Sequence, residues 1–413
     1  MAATRPFLYY LGVLLFLAMG VSPAYCANEF LQYHGISQNE KAAIHLGNTK
    51  SCIAGYGGRL DPYTAYQLCI PSWVAFAHNG TLVGEAAMNH AAVSPGTAVS
   101  GFKRLLGIRQ LTCLLLTLIY NEMVKREAEL VPYQFTEQLG RCGIQMETEE
   151  GHVMNFLPER VAGVLMAELK KMAEARLGRE IESALVTVPG HFNGAQRSSV
   201  RREAARLHDG FGVAKIVDEQ VAAAAAYRLH EKRGDGKVVL VFHLGGRTSH
   251  ATKFRFKDGT GHLLEERHDA YLGDCERTKK LLSDREGLLM NIGPVLGQGA
   301  DIYEELTRAK FEELNRDLME RALGIVDTVV MGGAPTSQTQ SRKDAIDEVI
   351  LVGGSVRIPM VGQLLEDYFN GRGLIKDEDA VIRGAALLSR PESARYVDEC
   401  YHGGVSGPLW LAK

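Results

Sequence analysis

The chain has no Cys-x-x-Cys pair and no grouping of cysteine with histidine at metal-ligand spacing, which excludes the common structural zinc sites. It has neither a P-loop nor the Gly-x-Gly-x-x-Gly dinucleotide fingerprint, so neither of those phosphate-binding devices operates here. No sign of charge is in excess. With 46 Lys+Arg against 49 Asp+Glu the formal net charge is −3, and that balance does not draw the chain to nucleic acid or to an anionic membrane surface. Apolar runs are short: residues 7–19 and 111–120 both fall below the roughly 20 needed to span a bilayer. Seven cysteines among 413 residues are too sparse for a disulfide-built scaffold.

A composition of 46% apolar and 23% charged residues is that of an ordinary globular protein of two or more domains, not of a disordered chain. The first segment stands apart. Arg5 precedes the apolar residues 7–19, which run into the small, turn-prone residues 20–26, the pattern of a secretory signal peptide cleaved after Cys26. Its removal leaves no membrane span and six cysteines in an oxidising compartment, where spacing does not say which of them pair. Asn79-Gly-Thr81 is a formal glycosylation acceptor.

Beyond this leader, β-type apolar runs alternate with helical stretches, which points to an α/β architecture of helix-covered sheets. The clearest strands are predicted at 42–46, 181–188, 237–242 and 348–352. Helices are predicted at 157–177, with Pro158 near the start and Gly178 just past the end, at 194–207 and at 304–326. Residues 111–120 read as a buried helix or strand. Within this pattern lies an internal echo: Ala43-Ile-His-Leu-Gly-Asn-Thr49 recurs as Val241-Phe-His-Leu-Gly-Gly-Arg-Thr248. Each is a strand followed by a glycine turn carrying a hydroxyl, as in a duplicated fold whose halves face each other across a cleft. A third such turn, Gly353-Gly354-Ser355, follows the strand at 348–352. Because glycine has no Cβ, such turns let backbone N–H groups converge on an anion, and three together suggest a phosphate cradle.

Longer stretches carry a resemblance. Ile44-His-Leu-Gly-Asn-Thr-Lys-Ser-Cys52, Ile70-Pro-Ser-Trp-Val-Ala-Phe76, Val186-Thr-Val-Pro189, Leu240-Val-Phe-His-Leu-Gly-Gly246, Leu306-Thr-Arg-Ala-Lys-Phe-Glu-Glu-Leu-Asn315 and Ile350-Leu-Val-Gly-Gly-Ser-Val-Arg-Ile-Pro359 resemble, in order and spacing, the ATPase domain of the 70-kDa heat-shock chaperones. With the leader and the pieces Val131-Pro-Tyr133 and Glu366-Asp-Tyr-Phe369, the likeness is strongest to the luminal binding proteins of the endoplasmic reticulum. It covers residues 42–389, with 111–130 poorly matched and a segment missing after Gly273.

The resemblance implies an actin-like ATPase fold, in which two lobes with ribonuclease-H-like cores flank a nucleotide cleft. On that basis residues 1–26 are the signal peptide, 27–236 lobe I, 237–389 a shortened lobe II whose last helix crosses back to lobe I, and 390–413 a tail. The implied cofactor is ATP or ADP with magnesium. Gly47, Asn48 and Thr49 fall in the first phosphate loop, Gly245, Gly246 and Thr248 in the second, and Gly353, Gly354 and Ser355 in the adenosine loop. Glu276, Lys279, Lys280 and Ser283 occupy the helix that lies against adenine and ribose in the family, with Arg357 covering the other side.

The implied catalytic set is incomplete. Acids that hold magnesium through its waters are replaced by His45, His243 and His250, the catalytic lysine is read at Met88 of Glu85-Ala-Ala-Met88, and Glu219 is the acid that remains. Magnesium is a hard cation that prefers oxygen, whereas imidazole suits softer metals, so its site is expected to be lost and hydrolysis to be weak or absent. The three histidines either converge on a soft divalent metal or a pH-dependent phosphate, or have drifted and only hydrogen-bond their neighbours. Arg247 replaces a glycine of the second loop and either pairs with phosphate or obstructs it. Gln220 and Val221 replace a Pro-Thr pair that closes over the nucleotide, and His191 replaces a tyrosine beside the hinge-like Pro189.

Residues 390–413 are too few for a client-binding domain, and they contain no Lys-Asp-Glu-Leu retrieval signal. The expectation is an ATP/ADP-binding chaperone-family domain of the endoplasmic reticulum lumen, tied to protein folding and stress response. Its partners are J-domain cochaperones and nucleotide exchange factors, with unfolded clients reached only through a domain not found here. The alternative is a non-binding structural paralogue or a regulatory decoy for cochaperones.

Overall fold

Two five-stranded sheets, built from short runs rich in β-branched and small apolar residues, organise the molecule. In the first, β1 (Lys41–His45) pairs antiparallel with β2 (Lys50–Gly55), and β2 with β3 (Tyr66–Pro71). On its other side β1 runs parallel to β4 (Ser183–Val188), and β4 to β5 (Gly212–Asp218). The second sheet repeats this plan. Its central strand β6 (Val238–Leu244) pairs antiparallel with β7 (Thr248–Lys257), which pairs antiparallel with β8 (Thr260–Ala270). Parallel partners β9 (Glu348–Val352) and β10 (Ile375–Asp377) complete it. The orders β5-β4-β1-β2-β3 and β10-β9-β6-β7-β8 match strand for strand in direction, so the echo in the sequence is the first hairpin of each copy. The computed structural model describes residues 41–55, 66–78, 80–107, 133–138, 141–148, 150–206, 212–229, 235–257, 260–270, 276–291, 303–332 and 339–389. The leader, the tail, Asn79 and the predicted element at 111–120 lie outside these.

Helices cover both sheets and fill the space between them. On the first sheet, α1 (Pro158–Leu177) packs on β2 and β3, and α2 (Gly194–Arg206) on β5. Pro158 opens α1 and Gly178 ends it in the left-handed conformation at φ 68°, as the sequence predicts. Every residue of α3 (Glu219–Ala226) is buried. The short α4 (Glu276–Asp284) stands by the turn after β9. On the second sheet, α5 (Arg316–Met331) packs against β7 and β8 with α6 (Pro359–Tyr368) beside it. The last described helix, α7 (Ala380–Leu388), crosses to β1, β2 and β4 and lies on α3. One core joins Leu185 and Ala43 of the first sheet to Val241 and Ile350 of the second through the alanines of α3 and α7. The two helices meet backbone to backbone: a methyl added at Gly384 would sit 1.7 Å from the Ala222 carbonyl oxygen.

The helix predicted at 304–326 is a strand and two helices. Tyr303–Thr307 pairs with Gly287–Asn291, then Arg308–Leu314 and α5 follow. Thr307 starts the first helix by accepting the Lys310 N–H at 3.2 Å, and Asn315 interrupts the run by donating its side-chain amide to the Phe311 carbonyl at 2.7 Å. Such capping lies outside what apolar periodicity registers. Cys52 on β2 and Cys69 on β3 are directly opposed, with Cα atoms 4.1 Å apart, and are joined in a disulfide.

Candidate functional site

The three glycine turns converge. A methyl added at Gly246 would lie 2.3 Å from the Thr49 methyl, so the turn after β6 touches the turn after β1. One added at Gly353, whose φ of 92° already favours glycine, would lie 2.5 Å from the Leu244 carbonyl oxygen. The Ser355 hydroxyl donates to the Gly245 carbonyl at 2.8 Å, and Lys279 of α4 donates to Ser355 at 3.0 Å. Ser283 turns back to the Lys279 carbonyl at 2.8 Å. Arg357 Nη2 donates to both carboxylate oxygens of Asp284 at 3.0 Å and Nη1 lies 3.6 Å from Glu378, closing the end of α4 against the turn after β9. Thus Gly47, Asn48, Thr49, Gly245, Gly246, Thr248, Gly353, Gly354, Ser355, Lys279, Ser283 and Arg357 form one neighbourhood. Glu276 and Lys280 share α4 with Lys279. Asn48 Oδ1 is buried there without a hydrogen-bond partner.

Below the turns sits Glu219, the first residue of α3 and 3% exposed. Its carboxylate is ion-paired with Lys103, receives His243 Nδ1 at 3.3 Å and lies 3.9 Å from His45 Nδ1. Burial raises the cost of this charge, but Lys103, His243 and His45 more than offset it and hold the carboxyl well below the usual range. His45 is pushed down to about 3 by burial, with Lys103 and His243 acting in the same direction against Glu219. It is therefore a neutral imidazole at pH 7, and its Nδ1 is 2.9 Å from the Thr187 hydroxyl on β4.

Lys103 was not singled out by the sequence patterns, whereas Met88 was. Met88 stands on helix Glu85–Ala91 at 39% exposure, outside the site, and the ammonium group at its floor comes from Lys103 on the turn Phe102–Leu105. The signal available was the pair Lys103-Arg104, set among the apolar Phe102, Leu105 and Leu106 between Gly101 and Gly107.

His250 does not join His45 and His243 at a common point. It contacts Gln220 of α3 at 2.5 Å and Glu266 of β8 at 3.5 Å. The register sets His243 opposite His250 and His250 opposite His268, and His268 stacks on His191 at 4.2 Å between centroids. Desolvation, with His268 and His250 nearby, holds His191 below the ordinary histidine value, although its side chain is exposed at the surface. Among the described residues no group of three or more His, Cys, Asp or Glu is arranged to hold a metal ion. His45 lies within hydrogen-bond distance of Thr187, His243 of Glu219 and His250 of Gln220.

Residues 42–274 and 270–395 match the model of the family described as Hsp70 protein. Heat shock 70 kDa protein BIP3 of Oryza sativa subsp. japonica is 35% identical over 388 residues, which cover 83% of this chain and 55% of that protein. A heat shock protein of the SSB type from Pyricularia oryzae is 31% identical over 387 residues, covering 83% of this chain and 60% of that protein. The chain therefore spans little more than half the length of these relatives. The ATPase domain of the family is actin-like, a fold that the two repeated sheets reproduce, and the family binds ATP or ADP with magnesium and works with J-domain proteins and exchange factors. On its fold and its match over residues 42–395, the chain belongs to the Hsp70 family through the nucleotide-binding region.

Proposed function

We propose that the chain is a chaperone-family nucleotide-binding domain that holds ADP or ATP and hydrolyses it weakly or not at all. The observation that carries this is the pairing of Glu219 with Lys103 between His45 and His243. Magnesium does not fit these residues: it wants oxygen ligands and retains its waters, whereas the one carboxylate is engaged by lysine and the imidazole of His45 is neutral. The nucleotide itself fits. The glycine turns at Gly47, Gly246 and Gly353 lie where phosphates are expected, the Gly245 N–H itself being held by the Thr248 carbonyl at 2.9 Å, and Lys279, Ser283 and Arg357 lie where adenosine is expected. A bound nucleotide supplies a phosphoanhydride, but Glu219, held by Lys103, is not free to orient water toward it, a loss worth several orders of magnitude in rate.

Residence in the secretory pathway is supported by the leader pattern, the similarity to BIP3 and the Cys52–Cys69 disulfide, which fits an oxidising lumen. J-domain cochaperones and exchange factors are proposed as partners because they act with this family. The test is thermal melting with ADP and ATP beside a phosphate-release assay. A ligand-dependent rise without release supports the proposal, and magnesium-dependent release at rates typical of the family overturns it. The contact of Gly246 with Thr49 favours a second reading, a non-binding paralogue whose turns satisfy each other, and that version shows no rise with either nucleotide.

A further inference from the structure

Three imidazoles meet at an edge where the two sheets come together, outside the glycine turns. His191, on the turn that leaves β4 of the first sheet, stacks on His268 of β8 in the second, with ring centroids 4.2 Å apart and planes 12° from parallel. His250 of β7 completes the group, 5.8 Å from His191 and 5.9 Å from His268. Both stacked rings are exposed, so protons reach them from solvent, whereas His250 is 5% exposed. Stacking brings ring faces together and leaves the nitrogen lone pairs, which lie in the ring planes, pointing out of the contact. The edge is closed at some cost. His250 Nε2 and Gln220 Oε1 are buried without a hydrogen-bond partner, although His250 Nδ1 meets the Gln220 amide at 2.5 Å. The turn packs close over them: a methyl added at Gly190 would lie 3.3 Å from Gln220 Oε1 and 3.5 Å from Glu266 Oε2. Parting the sheets here would give both orphaned atoms water, and the stack opposes it.

Charge decides between the two arrangements. The nearby acids are committed to other bases: Asp218 to Arg197 of α2, Glu219 to Lys103, and Asp269 to Arg321 of α5, while Arg267 turns to Glu265. Among the described residues this leaves Glu266, 3.5 Å from His250 Nε2, as the carboxylate that faces the three imidazoles. Protonating both members of the stack sets like charges one ring thickness apart against that single anion. Desolvation first, and then the neighbouring imidazoles, hold His191 and His268 below the ordinary histidine value.

We infer that this edge is a pH-sensitive clasp: the neutral stack of His191 on His268 holds the two sheets together, and its protonation in mild acid parts them at this edge while α3 and α7 stay packed. Because freed rings bind protons more readily than stacked ones, the closed form loses stability as pH falls below about 6.5. The clasp operates in the chain without ligand and is independent of the nucleotide role proposed above. Small-angle X-ray scattering of the full chain between about pH 7.5 and about pH 5, with far-UV circular dichroism on the same samples, tests it. The expected result is a reversible rise in radius of gyration with a midpoint between about pH 5 and about pH 6.5, at unchanged helix and strand content. His191→Gln combined with His268→Gln is expected to abolish the rise. Glu266→Gln is expected to move its midpoint to higher pH, because the charge that offsets the protonated rings is gone. A constant radius in the unaltered chain overturns the inference. So does a rise that the double variant retains, or one that coincides with loss of the dichroism signal, which is unfolding. Where a variant fails to fold, proton NMR of the unaltered chain decides: two imidazole signals that titrate together with the expansion support the clasp, and the lack of any such pair overturns it.

Discussion

Lys103 and Glu219 form an ion pair in the interior, their side chains 6% and 4% exposed, although they lie 116 residues apart in the chain. Removing one partner strands the other. Lys103→Met is expected to cost about 3 kcal/mol, because it leaves a buried carboxylate with only His243 and His45 beside it. Adding Glu219→Gln to that background is expected to return most of the loss. A double-mutant cycle by urea denaturation checks this, and additive effects of the two changes would show that the pair is not coupled.

Acid is expected to destabilise the fold earlier than carboxylate titration alone would. The folded state holds His45 near a pKa of about 3, whereas an unfolded histidine titrates near about 6.5. Between these values the unfolded chain binds more protons than the native one. Stability present at neutral pH is therefore lost progressively as pH falls below about 6.5. Glu219, depressed in the fold, adds a further loss below its unfolded value of 4.5. Calorimetry across this range should show Tm falling with pH, with a shallower fall in His45→Asn.

Gly384→Ala is expected to cost more than about 3 kcal/mol, since the added methyl meets a backbone carbonyl at 1.7 Å and neither helix has room to retreat. Gly96→Ala serves as the comparison, because a methyl there finds nothing within 4 Å. Similar denaturation midpoints for the two variants would refute the close helix crossing.

Opening the Cys52–Cys69 disulfide, which closes a separation of 17 residues, is expected to lower stability by about 2–4 kcal/mol. The lower end is favoured because β2 and β3 remain hydrogen-bonded without it. Denaturation of Cys69→Ser with and without reductant tests this: reductant should shift the parent chain and leave the variant unmoved.

The central strands and the helices α1 and α2 were legible because their signals are local, whereas α5 was merged with the strand and helix before it. Apolar runs ending in glycine located β1, β6 and β9, and Pro158 with Gly178 bounded α1 within a residue. Edge strands β3 and β8 lack a clear strand signal, since β3 is a short run ending in Pro71 and β8 carries the continuous polar run Glu265-Glu-Arg-His-Asp269. The glycine turns pointed to one another through duplication, and the structure gathers them. Lys103 escaped because its partner is set by the fold and not by sequence spacing. Met88 was chosen from a local motif, which says nothing about which side of its helix meets the cleft.

Since α3 follows β5 and α7 follows β10, the two helices are the same step of the duplicated plan, meeting where the copies join. Gly384 and Ala222 leave no thickness at that seam. A bulkier residue in one copy is felt at once by the other, so the seam admits change only in concert. Turns such as that of Arg247, by contrast, can be rewritten one residue at a time. The architecture is in this way insulated from the fate of its own ligand chemistry.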